Sequence, residues 1–133
     1  MLMGKGPRSR GFTLAEVTIA ALLVAVGLVA LMAAFYSGLQ LVESGRNMAQ
    51  ASADARAVFE EMRRLSGTGL GPVVTRNWSA WSSQAGLTAL PGEQVSVSFG
   101  DPAADPVEAT VTVTWTERTR SRSASFTGLI TRR

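Results

Sequence analysis

The sequence predicts an α+β fold: one long N-terminal helix followed by a small antiparallel sheet. Three observations carry that reading. Residues 17–36 are uncharged and almost wholly apolar. Apolar residues then recur at three- and four-residue steps as far as residue 65. Beyond residue 94 the apolar period falls to two. The three- and four-residue steps mark one face of a helix, and the two-residue period marks a strand covered on one side.

The chain has 133 residues, with no His, no Cys and Lys5 as its sole lysine. These absences exclude a Ser-His-Asp triad, a Cys nucleophile, a zinc finger, a haem thioether site and an iron–sulfur cluster. No disulfide can staple the fold. The expectation is no catalytic residue, no cofactor and no metal. Formal net charge is +3, but Lys5, Arg8 and Arg10 precede every acid, and the remaining ten arginines balance ten acids. The basic excess therefore reads as an orientation signal at the N-terminus and not as a ligand-binding surface.

Taken in order, residues 1–11 form a basic leader. The uncharged residues 17–36 would rise about 30 Å as a helix, the thickness of a bilayer's hydrocarbon core. A membrane-spanning helix is expected over 12–36, with the N-terminus cytoplasmic and the C-terminal part extracytoplasmic. A cleaved secretory signal would carry a shorter apolar run and an A-x-A-like site. Ala33-Ala34-Phe35-Tyr36 matches that poorly, so the segment is expected to be retained.

Helical periodicity continues over 37–65. Met48, Ala51, Ala55, Val58, Phe59, Met62 and Leu65 share one face. Arg46, Asp54, Glu60, Glu61, Arg63 and Arg64 fall on the other, with Glu60 and Arg64 at the i,i+4 spacing that favours an ion pair. Gly27, Gly38 and Gly45 are the points where such a helix would bend or loosen. Ser66-Gly67-Thr68-Gly69 ends it. Residues 66–93 read as a connector with a helical turn near 77–84 and a Pro91-Gly92 turn. In 94–133, Val95, Val97 and Phe99 form one alternating run. Val107, Ala109, Val111, Val113 and Trp115 form a second, and Ala124, Phe126, Gly128 and Ile130 a third. Three to four strands are expected, covered by the second half of the helix.

The sequence around the start of the apolar run is Arg10-Gly11-Phe12-Thr13-Leu14-Ala15-Glu16-Val17. An ionised side chain in a bilayer costs about 2.5–3.5 kcal/mol when central and less near an interface, so Glu16 needs a partner. A local account is a capping box, Thr13-x-x-Glu16, in which both side chains serve backbone N–H groups.

The whole string, with the basic leader and the span, closely resembles the N-terminal signature of type IV pilins and the pseudopilins of type II secretion. The resemblance covers roughly residues 1–36. It implies that a membrane-embedded prepilin peptidase cuts between Gly11 and Phe12 and methylates the new amine of Phe12. It makes Glu16 the family's fifth-position glutamate, which pairs with the Phe12 ammonium of a neighbouring subunit during assembly. It implies a pilin-like fold, with other pilin or pseudopilin subunits and an inner-membrane assembly platform as partners. Membrane lipid would hold the span before assembly, and Ala20, Ala21, Ala25, Gly27, Ala30, Ala33 and Ala34 would let helices approach closely. The implied location is the bacterial inner membrane, then a pilus or pseudopilus.

Major pilins commonly carry a Pro in the span and a C-terminal disulfide loop, and neither is present here. Trp81, Leu90-Pro91-Gly92-Glu93, Val95-x-Val97 and Val111-x-Val113-x-Trp115 look more like minor pilins, nearest the V-type minor pilins and I-type pseudopilins. The implied function is a minor pilin or pseudopilin of a pilus, secretion or competence machine. The alternative is a single-pass, membrane-anchored extracytoplasmic binding domain that does not polymerise, with DNA as one ligand to consider.

Other candidates are weaker. Arg118, Arg120 and Arg122, with Arg132 and Arg133, could make a basic tip for DNA phosphates. Edge-protecting charges explain them equally simply, and the neutral balance of the chain beyond the leader favours that account. Trp78, Trp81 and Trp115 could stack on bases or sugars, although Trp115 lies on the apolar face of its strand. A catalytic carboxylate pair would have to come from Glu93, Asp101, Asp105, Glu108 or Glu117. Asp101-Pro102 and Asp105-Pro106 are turn formers, so no enzyme is expected.

Overall fold

Thr13 opens the long helix. Its hydroxyl accepts a hydrogen bond from the Glu16 backbone N–H at 3.2 Å, serving one of the amides that a helix start leaves without a partner. The computed structural model describes residues 11–132, so most of the basic leader, with Lys5, Arg8 and Arg10, and the terminal Arg133 lie outside the described residues. Six elements follow: α1 (Leu14–Ser66), α2 (Gly71–Thr75), α3 (Trp78–Gln84), β1 (Gln94–Phe99), β2 (Val107–Glu117) and β3 (Arg120–Ile130). This is the expected α+β arrangement, and the chain divides into two units, Met1–Leu41 and Val42–Arg133.

In the first unit every described residue is exposed, including Leu22, Leu28, Val29 and Leu31. The helix is long and apolar enough to cross a membrane. Two of its hydroxyls, those of Thr18 and Ser37, are satisfied locally. Thr18 Oγ1 donates to the carbonyls of Leu14 at 3.0 Å and Ala15 at 2.9 Å, and Ser37 Oγ donates to that of Ala33 at 3.0 Å. Back-bonding of this kind spares those two hydroxyls the need for water in an apolar surrounding. The helix runs unbroken through Gly27, Gly38 and Gly45, because their neighbours are strong helix formers.

In the second unit the later turns of α1 bury Ala51, Ala55, Val58 and Met62, the stripe that the periodicity predicts. Both margins of the stripe differ from expectation. Met48, expected on the covered face, is 48% exposed because it lies one turn ahead of the core. Asp54, expected on the solvated face, is 5% exposed. It lies at the opposite margin of the stripe, where it accepts the Gln50 amide at 3.1 Å. The ion pairs also shift register. Glu60 pairs with Arg63 and Glu61 with Arg64, each at 2.7 Å and i,i+3, in place of Glu60 with Arg64.

Helix α2 falls within the expected connector, residues 66–93. Pro72 near its start brings the preset φ that suits a helix's first turn. Val73 is fully buried, and its carbonyl accepts the Trp78 indole N–H at 2.9 Å. Asn77 caps α3, its Oδ1 accepting from the Ala80 N–H at 3.0 Å, which turns the expected helical turn near 77–84 into a helix.

The sheet has the order β1-β2-β3 and is antiparallel throughout. Its register places Val95 opposite Val113, Val111 opposite Phe126, and Val107 opposite Ile130. Buried Val95, Val107, Ala109, Val111, Val113, Trp115 and Ile130 join the α1 stripe in one core. Each such large side chain stabilises by about 1.5–3 kcal/mol relative to leaving it in water. Gly128 sits where an added Cβ would lie 3.0 Å from the Phe59 ring, so the absence of a side chain there is what lets Phe59 lie on β3. In the β1–β2 connection, Asp101 accepts the Ala103 N–H at 2.9 Å, and the Asp105–Pro106 peptide is cis.

Candidate processing and assembly site

The residues that the sequence singles out gather at the start of α1. Gly11 precedes the helix in open surroundings, with nothing within 4 Å of where a Cβ would stand. Phe12 is 81% exposed. Gly11 and Phe12 thus lie outside the helix and are exposed.

Glu16 lies one turn into the helix. Only half of the capping box forms. Thr13 Oγ1 takes the Glu16 N–H, whereas the Glu16 carboxylate has no hydrogen bond or ion pair among the described residues. The local account thus explains Thr13 and leaves the Glu16 carboxylate unused. A carboxylate in a helix's first turn meets the positive end of the macrodipole, which tolerates it there without consuming its acceptor capacity.

The other sequence candidates do not converge on a site. Of the arginines at the β2–β3 tip, Arg118 pairs with Glu43 at 3.3 Å and Arg122 with Glu117 at 3.2 Å. Arg120 has no ion pair among the described residues. A tip with two of its three cations neutralised offers little to phosphate. Trp78 and Trp115 are each only 4% exposed. Trp78 and Trp81 meet edge to face at 5.6 Å, and the Arg76 guanidinium lies 5.5 Å from each ring centroid. These rings are occupied by packing. Four of the five candidate acids, all but Glu108, are likewise engaged separately. Asp105 accepts from the Arg132 N–H at 3.3 Å, and Glu117 accepts from Asn47 at 3.2 Å.

Two carboxyls of the second unit, Glu61 and Glu93, are shifted from the ordinary carboxylate range. The hydrogen bond from Arg64, and then that from Arg76 at 2.7 Å, holds Glu61 below the usual carboxylate range, against the opposing effect of desolvation. Burial, reinforced by contact with Asp54, pushes Glu93 above that range, while the Leu90 N–H pulls the other way. The sequence offered little warning of the Asp54–Glu93 contact, since the two lie far apart in the chain and Asp54 sits at a stripe margin.

A long apolar helix exposed through its first unit, followed by an α+β unit, fits a membrane-anchored single-pass protein. Residues 6–32 match the family described as the prokaryotic N-terminal methylation motif, so the chain carries the signature of type IV pilins and pseudopilins. That family is structural and non-enzymatic. No curated protein and no solved structure matches the chain.

Proposed function

We propose that this chain is a minor type IV pilin or pseudopilin, made as a prepilin and built into a filament after processing. The observation that carries the reading is Glu16, a carboxylate at the head of an apolar helix with no partner among the described residues, within the matched motif. Hydrolysis of the Gly11–Phe12 bond leaves a carboxylate on Gly11 and a new ammonium on Phe12. Methylation keeps that amine basic. In an assembled bundle the ammonium of one subunit meets Glu16 of the next, where neither charge is stable alone, and the pair sets the axial step between subunits. The exposed apolar flank of α1, lined with Ala20, Ala25 and Ala30 among its small residues, then exchanges lipid for copies of itself or of related subunits. Contacts of this head-to-tail kind do not close, so they build a filament.

On this reading residues 1–11 are removed, residues 12–36 form the span, and Val42–Arg133 faces away from the cytoplasm. Prepilin peptidase, other pilin or pseudopilin subunits and an inner-membrane platform are its partners. The intact mass of the protein from its native membranes tests the first step. A chain beginning at N-methyl-Phe12 is expected. A retained Met1 would leave a membrane-anchored domain that does not polymerise, and a cut beyond residue 36 would remove both readings. For the second step, Glu16→Ala is expected to be cleaved normally yet to enter filaments at least tenfold less often, an effect on the order of 1.4 kcal/mol or more. Normal incorporation would remove Glu16 from assembly.

A further inference from the structure

The sheet has two edges, and β3 forms the longer one, with eleven residues against the six of β1. Which backbone groups β3 turns outward follows from the register. In an antiparallel pair, residues that exchange N–H···O bonds alternate with residues whose N–H and C=O point the other way. The Gly100 N–H donates to the Glu108 carbonyl at 3.0 Å, and the Thr112 carbonyl accepts the Ser96 hydroxyl at 3.4 Å. Even-numbered β2 residues therefore turn toward β1. The odd-numbered ones, Val107 to Glu117, turn toward β3 and its even-numbered partners, Arg120 to Ile130. What remains on the outer edge is the N–H and C=O of Ser121, Ser123, Ser125, Thr127 and Leu129. All five residues are exposed, and none of these backbone groups has a hydrogen bond among the described residues.

An open edge is a template for another strand, and proteins guard such edges with Lys, Pro, bulges or short length. Strand β3 has none of these. Its register with β2 is one to one, so no bulge twists it away, and it contains neither Lys nor Pro. Its charges, Arg120 and Arg122, stand at the hairpin end, and Arg122 is paired with Glu117. Residues Ser123 to Ile130 are uncharged. The backbone alternation also selects the strand that fits. Residues directly opposite each other in an antiparallel pair share a face of the sheet. The outward residues of β3 lie on the solvent face, where Thr127 meets Thr110 and Ser125 meets Thr112. Those of β1, namely Val95, Val97 and Phe99, lie on the core face. Strand β1 of another copy would thus bring core side chains onto the solvent face. A second β3 keeps both faces continuous.

We propose that the β3 edge pairs antiparallel with β3 of a second copy of this chain, joining the two sheets into one of six strands. The register centred on Ser125 is the one that pairs all eleven residues on each side. It sets Ser125 opposite Ser125 of the second copy, Ser123 opposite Thr127, and Ala124 opposite Phe126. Arg120 then faces Ile130 and Arg122 faces Gly128, so no like charges meet. The hydroxyl pairs Thr110–Thr127 and Thr112–Ser125, at 3.0 and 2.9 Å, continue across the join into the hydroxyls of the other copy. The contact is isologous and closes at two chains. It rests on the second unit alone and is independent of the head-to-tail assembly of α1.

The test is sedimentation of the full chain in density-matched detergent micelles, with substitutions at the centre of the pairing. Ser125→Lys and Ser125→Glu each set like charges directly opposite in the pair, at a position that is exposed in the single chain. The wild type is expected to sediment as two chains, and each variant to dissociate at least tenfold more readily. An equal mixture of the two variants is expected to recover the dimer, because opposite charges then meet. A single-chain wild type would overturn the proposal. So would a mixture that stays dissociated, or a dimer that survives in both variants, which would assign association to α1. The chain contains no Cys, so Ser125→Cys gives a second reading that needs no charged variant to fold. Hydrogen-bonded residues opposite each other lie about 5.5 Å apart at Cα, within disulfide reach. Mild oxidation is expected to link most of the Ser125→Cys chains in pairs. Ser96→Cys, in the same row of the sheet but on β1, is expected to stay single. Equal linking at the two positions, or none at Ser125, would overturn the β3 pairing.

Discussion

The two parts of α1 use one backbone geometry to meet opposite requirements. Residues 14–41 are apolar around the whole circumference and bury nothing. From Ala51 to Met62 the apolar residues narrow to a stripe, and that stripe is buried in the core. An all-round apolar surface is stable only where a surrounding medium or neighbouring helices cover it, whereas a stripe is covered from within the fold. The first part leaves its cover to a surrounding medium or to neighbouring helices, while the second part spends its own packing on the sheet.

The largest effect that would break this comparison comes from truncating one residue in each part. Met62→Ala removes a fully buried side chain and should cost about 2–5 kcal/mol. Leu28→Ala removes one that is 57% exposed and should change unfolding of the second unit by less than about 0.5 kcal/mol. Thermal or denaturant unfolding in micelles measures both. Equal losses would mean that the first part packs within the chain.

Two glycines sharpen the contrast at smaller amplitude. Gly128→Ala drives a Cβ to within 3.0 Å of the Phe59 ring, and overpacking of this kind should cost about 1–3 kcal/mol. Gly38→Ala meets nothing within 4 Å and should favour helix by up to about 1 kcal/mol. Amide exchange of α1 near residue 38 and unfolding of the second unit report the two separately. A neutral Gly128→Ala would show that Phe59 is not seated on β3.

How much of this was legible in the sequence depended on whether a residue's environment is set by its near neighbours. The strands, the helix end at Ser66 and the apolar side of β3 follow from local period, and the structure agrees. The helix start was readable because Gly11, Phe12, Thr13 and Glu16 are neighbours in the chain. What the sequence did not disclose depends on contacts between distant segments. Asp54 is buried although it falls at the margin of the stripe, and Glu61 turns toward Arg76 because the chain beyond α2 brings that arginine back to the helix. Met48 matches the helical period but lies beyond the reach of the core. Helix α2 is only five residues long, too short for periodicity to reveal.

The smallest effect tests whether the β2–β3 hairpin, unlike the helix start, keeps its charges for local work. Arg118 occupies the first position of the two-residue loop with φ 59. Hairpins favour that hand because it matches strand twist, but residues with a Cβ adopt it only at a cost. Glycine adopts it without strain, so Arg118→Gly gains what arginine loses there, on the order of 1 kcal/mol. The same change removes the Arg118–Glu43 pair, which is 3.3 Å long and more than half exposed on both sides, and such pairs contribute about 0–1 kcal/mol. The expected net result is a small gain of a few tenths of a kcal/mol. Arg118→Ala separates the two contributions, since it keeps the strain and loses the pair, and it should be slightly destabilising. If Arg118→Gly instead destabilises by as much as Arg118→Ala, the ion pair outweighs the backbone, and the arginine at the tip serves to tie the hairpin to the Glu43 turn of α1.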